Sequence, residues 1–487
     1  MRSVFLALTL LLAPSALAFD APPASPLLPP DHWAVKAADR LEELGLVDRY
    51  MPAQRAVPLL AVQRALAEAE ERARAVRPDV ASLVKAWRER FDQEWSGAAK
   101  APEGPRILGG QLAGGYRGGS VHEARPPATR PSAVRLEVPR SDPFAEADAA
   151  AAWGAHLAIG ARVHATPWQA DVPSVELVGA LGPVALSVGK TQVGYGPNEI
   201  GGIVASGTAA VERVELMTTA PVRLPGLLGA LGDFSLDTVL ARFDESRHPY
   251  HPLLWEFNLQ WRPHPRLTLG ALRGVMFGGA LWEGISRRDI PLALFGIKNY
   301  RENNVYSASA RYRLPTDRVL PLTAKLEWGS DDNPAAAVQW PGLVMGLTAP
   351  MLPGLPASLG FEYAYFGKGP FGYHDPFGWY DHGLYAGGWA THQTPLGDPL
   401  GGNGKAFRLT ASADPFEARL HVAAMGWVQD RFTDDLYAPA AGGRSVGGSG
   451  EAELRLGRGS LGLRGSYEHG WDGWSRKQIE VAGKVFF

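Results

Sequence analysis

The sequence predicts a mainly β protein: a transmembrane antiparallel β-barrel of about 18 strands with a small N-terminal α-helical periplasmic module. Three observations predict it. The N-terminus reads as an export signal, apolar and polar side chains alternate with a period of two from about Gly104 onward, and the chain ends on Phe487.

The export signal comes first. Arg2 supplies positive charge, Val4 to Ala13 is an apolar run too short to span a bilayer, and Ala16-Leu17-Ala18 is a small-x-small cleavage site. Residues 1–18 therefore read as a cleaved signal peptide, and the mature chain is expected to begin near Phe19. No later stretch is long and apolar enough for a membrane helix. Cysteine is absent, so an exported chain must rely on a large core or a closed sheet instead of disulfides. A net charge of −2 gives no electrostatic case for nucleic acid. The 57 glycines and 15 tryptophans suit tight turns, small lumen positions and aromatic girdles.

Residues 19–30 form a Pro/Ala-rich stretch expected to be an extended, mobile linker. Residues 31–103 read as a helical periplasmic module. Asp31 can cap a first helix whose apolar face is Val35, Ala38, Leu41 and Leu44, with Gly45 as its stop. A second helix is expected from Leu59 to Val76 and a third from Val80 to Trp95.

Residues 104–487 read as the barrel. In the last strand Ile479, Val481, Gly483, Val485 and Phe487 alternate with Gln478, Glu480, Ala482, Lys484 and Phe486. Leu454 and Leu456, then Leu461, Leu463 and Tyr467, continue the apolar face, as do Trp255, Phe257, Leu259 and Trp261. Ala418, Leu420, Val422 and Ala424 are read as the outward set of another strand. The inward set carries charges: Glu256, Arg262, Lys325, Glu327, Arg419, Arg455 and Arg464. A soluble β-sandwich also alternates, but this pattern is far longer than one sandwich needs. Short turns at Gly182–Pro183, Pro263–Pro265, Pro315–Asp317, Ala413–Phe416 and Gly457–Ser460 fall on one side. Long connections at Gly194–Gly207, Gly278–Glu302, Gly367–Lys405 and Val428–Ser449 fall on the other. Short inside and long outside is the rule for such barrels.

Several motifs reduce to ordinary structure. Gly457-Arg458-Gly459-Ser460-Leu461-Gly462 spells a dinucleotide fingerprint, but a strand follows where a helix is required, so it reads as a hairpin turn. Tyr373-His374-Asp375 and Asp381-His382 lack metal-ligand spacing and read as polar loops. Asp331-Asp332-Asn333 could hold calcium but reads first as a turn between strands. No nucleophile elbow or other catalytic constellation is present. The chain is read as no enzyme, with no metal and no cofactor. Asp31-His32-Trp33-Ala34 with Leu41-Glu42-Glu43-Leu44-Gly45 resembles one S-layer-homology repeat, and packing of a helix pair is its first reading.

Two loops are more distinctive. The first runs Gly189-Lys190-Thr191-Gln192-Val193-Gly194-Tyr195-Gly196-Pro197, continues to Ala205-Ser206-Gly207 and then to Thr219-Ala220-Pro221-Val222-Arg223-Leu224-Pro225. The second holds Tyr380-Asp381-His382-Gly383, Gly387-Gly388 and Thr394-Pro395-Leu396-Gly397-Asp398-Pro399-Leu400-Gly401. Both read as outer loops. They resemble the glycine-rich stretches of the Wzi-like capsule assembly family, with Tyr195 where an aromatic, often tryptophan, is expected and Asp398 where histidine is usual. The resemblance implies a helical segment before an eighteen-stranded barrel. It also implies an outer-membrane lectin that binds capsular or related surface polysaccharide and helps attach or assemble it at the cell surface. Other expected partners are outer-membrane lipid and the barrel assembly machinery, with the protein a monomer. Sugar binding asks for aromatic faces beside amide and carboxylate groups. The candidates are Tyr195, Asn198, Trp379, Asp381, His382, Trp389, His392, Asp398 and Asn403, with Tyr380 and Tyr385 nearby. Aromatic girdles or loop packing could equally claim the aromatics. The alternative function is a general or sugar-selective diffusion porin.

Overall fold

A period-two chain of this length can place its apolar face in lipid and its charged face toward a lumen when the sheet closes on itself. The computed structural model describes residues 21–122, 138–243, 247–280, 302–331, 341–367, 378–392, 394–432, 435–437 and 441–487, and it shows that closure. Eighteen long antiparallel strands form one barrel. They are β1 (Pro105–His122), β2 (Asp142–Trp153), β3 (Leu157–Ala165), β4 (Ala170–Leu181), β5 (Val184–Gly194), β6 (Ser206–Thr218), β7 (Asp233–Arg242), β8 (Leu253–His264) and β9 (Leu267–Phe277). The circuit continues through β10 (Asn303–Arg313), β11 (Thr323–Asp331), β12 (Gly342–Ala349), β13 (Ala357–Phe366), β14 (Gly404–Ala413), β15 (Leu420–Arg431), β16 (Gly443–Leu456), β17 (Gly459–Gly470) and β18 (Ser475–Phe486). Each strand pairs with its sequence neighbour. β18 closes on β1, with Val481 opposite Tyr116 and Phe486 opposite Gln111. Closure leaves no sheet edge to pair with another chain.

The expected faces are observed. Leu461, Leu463 and Tyr467 of β17 and Ile479, Val481 and Val485 of β18 point outward and are exposed, while Glu468, Ala482 and Phe486 are buried inside. The fingerprint at Gly457 is a hairpin turn, Leu456 pairing with Gly459 and Gly457 at φ +64°.

The helices are not a separate body hanging below the barrel. Helix α1 (Trp33–Glu43) stands inside the lumen, while α2 (Leu59–Val76) and α3 (Pro78–Glu94) pack together across the short-turn end. The cap of α1 is His32, not Asp31: its ring nitrogen accepts the Ala34 N–H at 3.2 Å. Gly45, at φ +75°, ends the helix. The Leu46 N–H reaches the Leu41 carbonyl and the Gly45 N–H reaches that of Glu42, the paired bonds of a left-handed C-terminal stop. α3 begins at Pro78, two residues before the sequence expectation, because proline suits the first helical position.

Buried charges fasten α1 to the wall. Arg40 meets Asp414 at 3.0 Å, Glu42 meets Arg311 at 3.1 Å, and Glu43 meets Lys325 at 2.7 Å. At the mouth Arg90 lies between Glu94 and Glu453, each at 3.1 Å, and its guanidinium covers Trp33. Arg455 meets Glu94 at 3.3 Å. Gly109 shows how close α3 comes to β1. At φ +147° it forms a bulge, and a Cβ there would sit 2.5 Å from the Glu94 carbonyl.

Three other expectations are corrected. Residues 21–30 are extended but not loose. Leu27–Leu28 pairs with Val57–Pro58, Ala24, Ser25 and Leu28 are buried, and the Leu27 N–H donates to Glu176 at 2.5 Å. β15 starts at Leu420, because Phe416, Glu417 and Ala418 make a left-handed turn at φ near +55°. The connection 219–232 lies at the helix-bearing end, so Thr219–Pro225 is not an outer loop. Between α1 and the wall a space of about 620 Å³ remains, bordered in part by Lys36, Ser449, Arg464, Ser466, Gln478 and Glu480.

Candidate functional site

At the end opposite the helices, the chain between β5 and β6 turns inward. Glycines permit the turn: Gly196 at φ +88° and Gly207 at φ +83° take conformations other residues resist. Residues 195–205 thereby enter the lumen, and the Tyr195 N–H closes on the Ala205 carbonyl at 2.8 Å.

Inward charges of the wall meet this loop. Glu362 of β13 accepts the N–H groups of Gly201 at 2.8 Å and Ile200 at 3.2 Å. Glu327 of β11 accepts the Ile203 N–H at 3.2 Å and the Ser307 hydroxyl at 2.6 Å. Arg55, from the chain just after α1, donates from below to the carbonyls of Ile200 at 3.2 Å, Ser206 at 3.0 Å and Gly201. The lower and upper stoppers are therefore tied together inside the barrel. Buried backbone groups need such partners.

Residues 378–392 and 394–403 lie over this loop as a cap. Trp389 donates its indole N–H to Val204 at 2.8 Å, and Tyr380 its hydroxyl to Ile203 at 2.6 Å. The Ser206 N–H bonds the Leu396 carbonyl at 2.8 Å. Ala390–Thr391 pairs with Thr394–Pro395 as a short hairpin. Trp379 sits edge-on to Phe366, ring centres 5.1 Å apart. Arg247, between β7 and β8, holds the carbonyls of Ala390 at 2.6 Å and Gly388 at 2.7 Å. Tyr380 and His392 carry positive φ of +66° and +45°, a local strain tolerated only where surroundings over-determine it.

The sequence-predicted residues divide into two groups. Tyr195, Trp379, Trp389 and Asp398 are fully buried, and Asn198 and Asn403 nearly so. Tyr195 donates its hydroxyl to Asp237 at 2.6 Å, and Asn198 donates its amide to Val344 at 3.3 Å. Asp398 pairs with Arg408, which also reaches Glu362 at 2.6 Å. The rings of Tyr195, Trp379 and Trp389 pack inside the cap, together with those of Tyr380 and Tyr385. Burial pushes the Tyr380 phenol well above its ordinary range. Asp381 and His382 are half-buried and His392 is exposed, all on the cap. Tyr373, His374 and Asp375 lie outside the described residues, as do Asp332 and Asn333.

Sequence reasoning missed Arg55, Arg247, Arg408, Glu362 and Asp435. Arg408 and Glu362 could have been found as charges at inward positions of strands. Arg55, Arg247 and Asp435 lie in irregular chain with no periodic signal. Asp435 sits beneath the cap, where burial raises its carboxyl to about 7 against the pull of Arg431. Among the described residues, the Trp379 indole N–H, both amide atoms of Asn403 and one Asp435 oxygen are buried without a hydrogen-bond partner.

No curated protein matches the sequence. Among solved structures, Wzi of Escherichia coli is an outer membrane protein involved in group 1 capsule assembly and a carbohydrate-binding β-barrel. It is similar over 94% of this chain and 99% of its own, at 13% identity and TM-score 0.71. OccK11 (OpdR) of Pseudomonas aeruginosa is similar over 80% of this chain and 98% of its own, at 10% identity and TM-score 0.49. OpdQ of the same organism covers 79% and 98%, at 7% identity and TM-score 0.47. The barrel is an outer-membrane barrel, and short turns of the kind found at its helix-bearing end are the pattern of the periplasmic side in such barrels. The sequence profile described as "Capsule assembly protein Wzi" matches residues 177–471, more than half of the chain, from the second half of β4 to the start of the β17–β18 turn, and the protein belongs to that capsule assembly family.

Proposed function

We propose that the protein holds capsular or related surface polysaccharide at its outer face and helps attach or assemble it there, acting as a lectin without catalysis. Family membership and the carbohydrate binding of Escherichia coli Wzi support the reading. The single observation that carries it is the use made of the outer loops. Residues 195–205 and 378–403 build a braced cap over a filled lumen, instead of leaving a mouth open.

On that cap, Asp381, His382 and His392 offer carboxylate and imidazole groups to sugar hydroxyls. The unpartnered polar atoms of Trp379, Asn403 and Asp435 are further groups that an ordered water or a bound hydroxyl can satisfy. Tyr195, Asn198, Trp389 and Asp398 act as supports that keep the cap in shape.

The porin alternative is disfavoured because much of the charge set offered for it is already engaged. Lys325 is spent on Glu43, Arg455 on Glu94, Arg262 on Asp233 at 2.9 Å, and Glu327 on the inserted loop.

The test uses proteoliposomes of the full-length protein and polysaccharide purified from the surface of the producing cell. Wild type should retain the polymer, and a D381A/H382A/H392A variant should retain several-fold less while melting at the same temperature. Equal retention by both proteins would remove these residues from the site. No retention by wild type would remove the function.

A further inference from the structure

The connection 219–232 is the longest described link at the periplasmic end, and the cap makes no use of it. We propose that it is a foot seated in the periplasmic leaflet of the outer membrane, with phospholipid acyl chains as its partner. It holds a single 3-10 segment, Gly226–Leu231, in which no residue is buried. Leu227 is 96% exposed, Leu228 55% and Leu231 45%. A contiguous apolar patch of this kind on an otherwise satisfied surface marks an interaction site.

The foot is held, not trailing. Trp261, on the outward face of β8, donates its indole N–H to the Leu231 carbonyl at 2.6 Å and stacks on Phe234, ring centres 6.4 Å apart. Arg223 meets Asp233 at 2.8 Å, and Val222–Arg223 pairs with the start of β7. At Gly232, φ +95°, a Cβ would collide with the Arg262 carbonyl, so the chain is pressed against β8 there. These anchors fix the leucines beside the lipid-facing wall and continuous with its apolar belt. That continuity selects lipid as the occupant. Other turns at the same end agree: Val319 is 80% exposed, and Leu181, Leu355 and Phe416 also show apolar side chains at their tips. At the outer end the exposed tips Trp168 and Trp471 are tryptophans, as expected for an aromatic girdle. An amphipathic segment lying in the head-group to acyl boundary is a known way to use such a face.

The chain has no cysteine, so a single thiol can be placed cleanly. Leu227→Cys carries a bimane label in phosphatidylethanolamine–phosphatidylglycerol vesicles whose chains are brominated near the head-group end. Ile479→Cys, in the belt, and Lys85→Cys, on the exposed side of α3, are the references. The label at 227 should be quenched by brominated lipid to an extent comparable with 479. Aqueous iodide should quench it several-fold less than it quenches 85. Iodide access equal to that at 85 would overturn the proposal. So would iodide protection that appears only as the protein-to-lipid ratio rises, which marks a second copy of the chain as the occupant. Polysaccharide retention is read separately, so the foot and the lectin can fail independently.

Discussion

At the residue scale, one arginine carries much of the cap. Arg408 stands on β14, buried, between Asp398 of the cap and Glu362, whose other contacts are the inserted loop's N–H groups. Removing it takes the directly paired cation from two buried carboxylates, which costs roughly 3–5 kcal/mol in comparable sites. Arg408→Ala should therefore lower the melting temperature and open residues 378–403 to protease, and an unchanged cleavage pattern would contradict the bracing described here. Asp39 offers a second test. Burial inside the lumen raises its carboxyl from the ordinary 3.8 to about 6, despite the nearby Arg311 and a 2.9 Å hydrogen bond from Tyr50. A folded value above the unfolded one makes the stabilising contribution complete below about pH 4 and lost as pH rises through about 6. Amide exchange in α1, corrected for its intrinsic pH dependence, should show less protection at about pH 8 than at about pH 4, and Asp39→Asn should flatten that slope. Single residues were also where sequence reasoning reached least far. Tyr195, Trp379 and Trp389 look alike in sequence whether they face a sugar, a lipid or a core, because irregular loops have no period to sort them.

At the element scale the sequence was far more legible. The second helix was read to its residues, since eighteen positions of 3.6 periodicity leave little choice. Strand faces followed from alternation, and the side of each turn followed from connection length. Misreadings came where local chemistry broke the period. The left-handed turn at Phe416–Ala418 delayed β15, and the foot at 219–232 passed for part of an outer loop because its neighbours in sequence belong to one. What periodicity could not reveal was that α1 stands inside the barrel, since an amphipathic helix looks the same whichever wall it packs on. The Glu43–Lys325 pair, both side chains buried and 2.7 Å apart, makes that placement testable. Lys325→Met should destabilise the barrel by roughly 3–5 kcal/mol, and adding Glu43→Gln should recover much of the loss, because the cost lies in the unpaired buried charge. Additive losses in that double-mutant cycle would mean that the two side chains do not meet.

At the scale of the whole molecule, the barrel is filled in layers. α2 and α3 cover the periplasmic mouth, and α1 and the chain after it occupy the middle. The inserted loop 195–205 and the cap 378–403 take the upper part, and Arg55 joins the middle to the top. A space of about 620 Å³ remains beside the stopper. A wall of eighteen strands is wide enough for an aqueous channel, and here that width houses a stopper instead. The outer face is then a braced surface, not an entrance, which is what the proposed polysaccharide-holding role requires. Ionic conductance of the wild-type protein in a planar lipid bilayer tests this most directly. A stoppered barrel predicts no large, steady conductance step on insertion, and stable open steps of the kind a diffusion porin gives would contradict it.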